Sequence, residues 1–189
     1  DYGVEKEFRY NNGTLYYSKQ NQDNLSVMTT AYDIKKNKKS DIDFAFVRIS
    51  YGLNHYDYIY ESNMIKAEQA GVPVGTYVYS TALSAETALK EAQYAIEKMQ
   101  GYKVSYPVVF DLEYAKASNL SPKKVSQMAL AFCNEVRKAG YYPMVYCNTN
   151  WYDNYIDWSL LSGIDVWIAR YGDTIQAPDK DRYNYTIWQ

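Results

Sequence analysis

Pro107-Val108-Val109-Phe110-Asp111-Leu112-Glu113 is the stretch on which the fold turns. A short, nearly continuous apolar run marks a strand covered on both faces, as in a parallel sheet. The run ends in two carboxylates at i and i+2. Side chains alternate along a strand, so Asp111 and Glu113 are expected on one side, with Cα atoms roughly 6.5–7 Å apart. At the C-terminal end of a barrel strand, that side faces the mouth where such barrels carry their chemistry.

Working outward, the same kind of run recurs at 44–49, 74–79, 143–146 and 166–169. Helical patterns lie between the earlier runs. Ser84 is placed to cap a helix with apolar residues at Ala85, Ala88, Leu89, Ala92, Ala95, Ile96 and Met99, stopped by Gly101. Ser121-Pro122 opens a second, with proline at the first helical position and an end before Gly140. A weaker helix is expected from Ile59 to Ala70. Strand–helix repeats imply right-handed crossovers and a parallel sheet. Gly172 to Arg182, with Pro178 and a charged run, reads as loop. The architecture is therefore expected to be an α/β barrel whose late strands are joined by short links without full helices.

The ends differ from this pattern. Residues 1–22 read as a separate N-terminal arm holding a small hairpin around Asn12-Gly13, and residues 23–189 as the barrel. The chain begins at Asp1 with neither Met nor leader, which marks it as processed, excerpted or recombinant. The basic cluster Lys35, Lys36, Lys38 and Lys39 is offset by Asp33, Asp41 and Asp43 and reads as a solvated helix face.

Composition narrows the function. The chain has 189 residues, 47% of them hydrophobic, and a formal net charge of −2. That excludes disorder and, lacking a basic face, a dedicated nucleic-acid binder. No run approaches the ~18 apolar residues of a membrane span. The single histidine, His55, sits in Asn54-His55-Tyr56-Asp57 and reads as a solvated loop residue. Any Ser-His-Asp or Cys-His site would have to use it. Cys133 lies on the apolar stripe of the second helix and Cys147 ends a strand, so no disulfide is expected. One histidine and two separated cysteines do not make the usual zinc sites, and neither metal nor organic cofactor is expected. The 23 tyrosines are the compositional outlier. A flat apolar ring suits the C–H face of a sugar, and a phenol can bond its hydroxyls.

Two nearby carboxylates push their pKa values apart, so one can hold a proton near neutrality while the other is ionised. That is the requirement of glycosidic cleavage, in which one group protonates the leaving oxygen and the other steadies charge at the sugar. Here the chain resembles the family 25 glycoside hydrolases, the N-acetylmuramidase lysozymes, over roughly residues 24–189. The resemblance rests on 43–52, 70–77, 107–113, 139–146, 166–171 and Ile187-Trp188-Gln189, in that order and spacing. It implies a flattened TIM-like (β/α)5(β)3 barrel and hydrolysis of the β-1,4 bond between N-acetylmuramic acid and N-acetylglucosamine in peptidoglycan. It implies Glu113 as general acid and Asp111 as the partner that orients the substrate's 2-acetamido group. Arg48, Tyr77, Tyr146, Trp167 and Tyr171 match positions lining the groove.

The family also has an Asp ending the first strand, and Gln22-Asp23-Asn24-Leu25-Ser26 puts Asn24 there, or Asp23 after a one-residue slip. The family also tends to carry an acidic residue beyond Trp-Gln, and this sequence stops at Gln189. A catalytically weakened, carbohydrate-binding relative on the same fold is the competing reading. A chitinase-like hydrolase ranks third, because its acidic strand motif would want acids where Val109 and Pro107 stand. The expected partner is bacterial cell-wall peptidoglycan, met by a monomer that is extracellular or cell-wall associated.

Overall fold

A computed structural model describes residues 9–11, 14–16, 44–171 and 176–189. The first-strand stretch with Asn24 and the basic cluster at 35–39 lie outside the described residues. Strands β1 (Arg9–Asn11) and β2 (Thr14–Tyr16) pair antiparallel, Asn11 opposite Thr14, as the two arms of the expected hairpin.

The body of the chain alternates strand and helix. Its elements are β3 (Ala45–Tyr51), β4 (His55–Tyr56), α1 (Tyr60–Ala70), β5 (Val74–Tyr79), α2 (Ala85–Lys98), β6 (Val108–Asp111), α3 (Pro122–Lys138), β7 (Pro143–Asn148), α4 (Thr149–Asn154), β8 (Asp165–Ala169) and β9 (Ile187–Trp188). Among the described residues they build a seven-stranded sheet in the order β4-β3-β5-β6-β7-β8-β9. All neighbours in it are parallel except β3 and β4. Strand β6 is the middle strand, which explains its unbroken apolar run.

The helices start and stop for local reasons. The Ser84 hydroxyl accepts from Thr87 N at 3.1 Å, and that of Ser121 from Lys124 N at 3.4 Å, ahead of Pro122. Gly71 closes α1 at φ +71°, a left-handed cap that favours glycine. Helix α3 buries Val125, Met128, Ala129, Phe132, Cys133 and Val136, the stripe read from the sequence. Both cysteines are buried and free.

Two apolar layers flank the sheet. Val108, Phe110, Leu112, Val145, Cys147 and Ile168 face the helices, where Phe110 meets Phe132 at 4.7 Å between ring centroids. The opposite face carries its own cluster of Phe44, Phe46, Tyr77, Val109, Met144, Tyr146, Trp167 and Ile187.

Some links differ from expectation. His55 belongs to a two-residue strand paired with β3, so it is not a loop residue, although its side chain is exposed as expected. A pair this short leaves no periodic signal. Between β7 and β8, where a short link without a full helix was expected, there is a six-residue helix and a 3-10 turn (Trp158–Leu160). Asn148 caps that helix by accepting from Trp151 N at 2.9 Å.

Gly75 sits where β5 meets its neighbours. A Cβ there would run into the Phe46 ring and lie 2.7 Å from the Pro107 carbonyl oxygen, a backbone atom held by the ladder. Gly75→Ala should therefore destabilise the protein by roughly 1–3 kcal/mol, the cost of overpacking a filled core. A urea midpoint lower than the parent's at unchanged slope is the expected result.

Candidate active site

Register across parallel strands decides which side chains share the inner face. Tyr51 pairs with Tyr79, Tyr79 with Asp111, Asp111 with Tyr146, Tyr146 with Trp167 and Trp167 with Ile187. The residues form one row near the C-terminal ends of the strands. Backbone bonds tie it together: Gly52 N to Tyr79 O at 2.8 Å, Ser80 N to Asp111 O at 3.1 Å and Leu112 N to Tyr146 O at 2.9 Å. One step deeper, Arg48 pairs with Tyr77, Tyr77 with Val109 and Val109 with Met144.

Asp111 is the last residue of β6 and is 5% exposed. Its Oδ1 is buried and has no hydrogen-bond partner among the described residues. Glu113 lies just beyond the strand end and is half-buried. Burial raises the Asp111 pKa well above the usual carboxylate range; the nearby Glu113 charge raises it further, and the Arg48 guanidinium opposes both. Burial also raises Glu113. Tyr79 and Tyr146, one on each side of Asp111, are pushed up chiefly by burial, and the charges of both carboxylates add to this.

Aromatic contacts stiffen the row. Phe46 stacks on Trp167 with centroids 4.8 Å apart, and Tyr146 meets Trp167 edge-on at 4.9 Å. The hydroxyls of Tyr146 and Tyr171 are 2.9 Å apart, and the Tyr171 ring is largely exposed. Tyr171 follows β8, where Arg170 N donates to Gln189 O at 2.9 Å.

Of the residues expected at the site, Asp111, Glu113, Tyr146, Trp167 and Tyr171 come together. Arg48 is near enough to act on Asp111 electrostatically. Tyr77 lies a layer deeper, buried in the inner apolar cluster. Asn24 lies outside the described residues.

Other contributors were not picked out from the sequence. The Asp57 carboxylate, itself buried, accepts from Arg48 Nε at 3.1 Å and from Ile59 N at 3.3 Å, so it orients the guanidinium and opens α1. Buried Glu91 accepts from Ser80 Oγ at 2.6 Å and Thr81 N at 3.0 Å, holding the turn that leaves β5. Tyr79 was within reach of the period-2 rule, two residues after Tyr77 on the same strand. Asp57 and Glu91 gave no local signal.

The arrangement can hold a proton on a carboxyl pair beside an aromatic face. Such a site suits acid-assisted cleavage of a bond in a sugar chain. A family model for the glycosyl hydrolases of family 25 matches residues 18–189. The chain belongs to that family. An autolytic lysozyme of Clostridium acetobutylicum is 24% identical over 149 residues, covering 79% of this chain and 44% of that protein. The chain thus spans less than half the length of this curated relative. Among solved structures, the CTP1L endolysin superposes with a TM-score of 0.69 at 24% identity, over 83% of this chain and 54% of that one. A family 25 glycosyl hydrolase from Bacillus anthracis gives 0.66 at 23% identity, over 83% and 72%. At these identities the superpositions speak for a shared family 25 fold.

The raised Asp111 pKa carries a sign for stability. A carboxyl whose folded pKa lies above its unfolded value loses stability as pH climbs from the unfolded towards the folded value, and the loss persists above it. Asp111→Asn should therefore melt higher than the parent at pH 7, with the gap narrowing as pH falls towards 4. Thermal melts across that range test it, at about 2–4 °C per kcal/mol for a chain of this size.

Proposed function

We propose that this family 25 chain hydrolyses the β-1,4 bond between N-acetylmuramic acid and N-acetylglucosamine in peptidoglycan. The observation that carries the proposal is the Asp111–Glu113 pair, both pKa values raised, set in an aromatic row at the C-terminal ends of parallel strands. In this reading residues 23–189 form a flattened (β/α)5(β)3 barrel with residues 1–22 as an arm, working outside the cell or at the wall.

Glu113 is the general acid. It is the less buried carboxyl, reachable by a leaving oxygen, and burial keeps it protonated into the range where a free glutamate has ionised. Asp111 accepts the N–H of the substrate's 2-acetamido group. A hydrogen bond to the charged form favours that form, so substrate binding ionises Asp111 and leaves the shared proton on Glu113. The oriented acetamido oxygen then attacks the anomeric carbon as the Glu113 proton passes to the departing oxygen. Water opens the resulting ring with Glu113, now a carboxylate, taking its proton. Arg48, held by Asp57, balances negative charge behind Asp111. Tyr146, Trp167 and Tyr171 line the groove, and Tyr77 supports it from the layer below. No cofactor enters these steps.

Glu113→Gln should lower turnover at least about a hundredfold, the usual worth of general acid catalysis. The readout is mass spectrometry of purified peptidoglycan after digestion. Wild type should release new N-acetylmuramic acid reducing ends and the variant almost none; near-normal release by the variant would overturn the assignment. Activity of wild type should fall as pH rises through the elevated Glu113 pKa, because the acid must be protonated. Asn24→Asp should raise activity if position 24 stands where the family keeps its first-strand carboxylate. Unchanged activity in a folded variant would remove position 24 from the site.

A further inference from the structure

The aromatic row continues past the carboxylates on the side away from Tyr146. Tyr79 pairs with Asp111, and Tyr51 pairs with Tyr79 on the next strand. The rings of Tyr51 and Tyr79 stack, centroids 4.5 Å apart and planes within 11° of parallel. One face of Tyr51 is thus covered by Tyr79. His55 approaches the ring at 6.1 Å with planes at 64°. Tyr51 nevertheless stays 38% exposed, one of the few large rings so placed among the described residues.

The backbone beneath it is fixed. Gly52 has φ +60° and donates to Tyr79 O at 2.8 Å, and its Cα lies so close to Thr81 that a side chain there would collide with the threonine hydroxyl. Glu91 holds Thr81 in turn. The Tyr51 ring is therefore presented pre-ordered, which lowers the entropy lost when something binds to it. Two strand spacings, about 9–10 Å, separate it from Asp111 along the row. A tyrosine needed only for packing would turn its ring inward, as Tyr60 and Tyr77 do.

We propose that the Tyr51–Tyr79 stack is a glycan subsite, with the outer face of Tyr51 taking the C–H face of a pyranose ring one or two sugars from the bond held at Asp111 and Glu113. It rests on the glycan-cleaving reading above and adds where the chain of the substrate runs: across β5 and β3, towards β4. The ligand is an uncharged ring face, recognised by apolar stacking, with the Tyr51 hydroxyl free to bond a sugar hydroxyl.

The test uses a peptide-free β-1,4-linked tetrasaccharide of alternating N-acetylglucosamine and N-acetylmuramic acid. It is titrated calorimetrically into the Glu113→Gln protein, which cannot turn it over. Adding Tyr51→Ala should weaken binding about tenfold, the worth of one good aromatic contact. Tyr51→Leu, which keeps apolar bulk but loses the flat ring, should weaken it similarly, and Tyr51→Trp should stay within about twofold. Tyr142→Ala, at an exposed ring before β7 and so at the opposite end of the strands, should bind as the parent does. Parent-like binding by Tyr51→Ala overturns the subsite, as does a Glu113→Gln parent that does not bind the tetrasaccharide. Tyr51-dependent binding by a wild type that releases no reducing ends would uphold the subsite and sink the hydrolysis reading alone.

Discussion

The buried carboxyl of Asp111 is the constraint around which the rest of the molecule is arranged. Strand β6 is the middle of the sheet and is covered by helices on one face and by an aromatic cluster on the other. A strand so enclosed has room for polar side chains only where it emerges. Asp111 stands at that point, with Tyr79 and Tyr146 on either side in register. Taking a carboxyl out of water disfavours its charge, and the Arg48 guanidinium works the other way. That guanidinium is useful only while it is aimed, and the buried Asp57 carboxylate aims it. The β3–β4 hairpin, from whose far end Asp57 hangs, is thereby part of the site's electrostatics as well as of the sheet.

The tyrosines of the inner face answer to the same constraint. The inner face must be apolar enough to pack, yet at the strand ends it borders the Asp111–Glu113 pair, where polar groups are wanted. A phenol satisfies both, with its ring in the cluster and its hydroxyl at the edge. Tyr146 shows this directly: its ring meets Trp167 and its hydroxyl meets Tyr171. Phenylalanine occupies the deeper positions, 44 and 46.

Much of this was legible in the sequence because it is local. The apolar run of β6, the Ser84 and Ser121 caps and the stripe of α3 are each written within a few residues, and the structure carries them where they were read. The expectation that Asp111 and Glu113 lie near one another needed only the two-residue period of a strand, and the Glu113 charge does act on Asp111. What escaped depends on contacts between distant segments. Strand β4 has two residues and no period, so His55 passed for loop. Asp57 and Glu91 are single carboxylates whose meaning comes from Arg48 and Ser80, nine and eleven positions away and brought near only by the folded hairpin and the turn after β5. Tyr77 was singled out and Tyr79 passed over, although alternation puts both on one face. Their depth along the strand separates them, and depth is set by register with β6.

The same energetics bear on whether the site is a working one. A protein that only held glycan would gain nothing from two carboxyls whose pKa values are raised by burial and proximity. An amide at position 111 could hydrogen-bond an acetamido group without the cost of desolvating a charge. The costly arrangement is what a proton-transfer site requires: a group that keeps its proton at a pH where it would ordinarily have lost it, beside one that substrate can ionise. The buried Oδ1 of Asp111, which has no hydrogen-bond partner among the described residues, fits this. The cost of burying that carboxyl is borne at a strand end whose backbone is tied to both neighbours, Ser80 N to Asp111 O and Leu112 N to Tyr146 O.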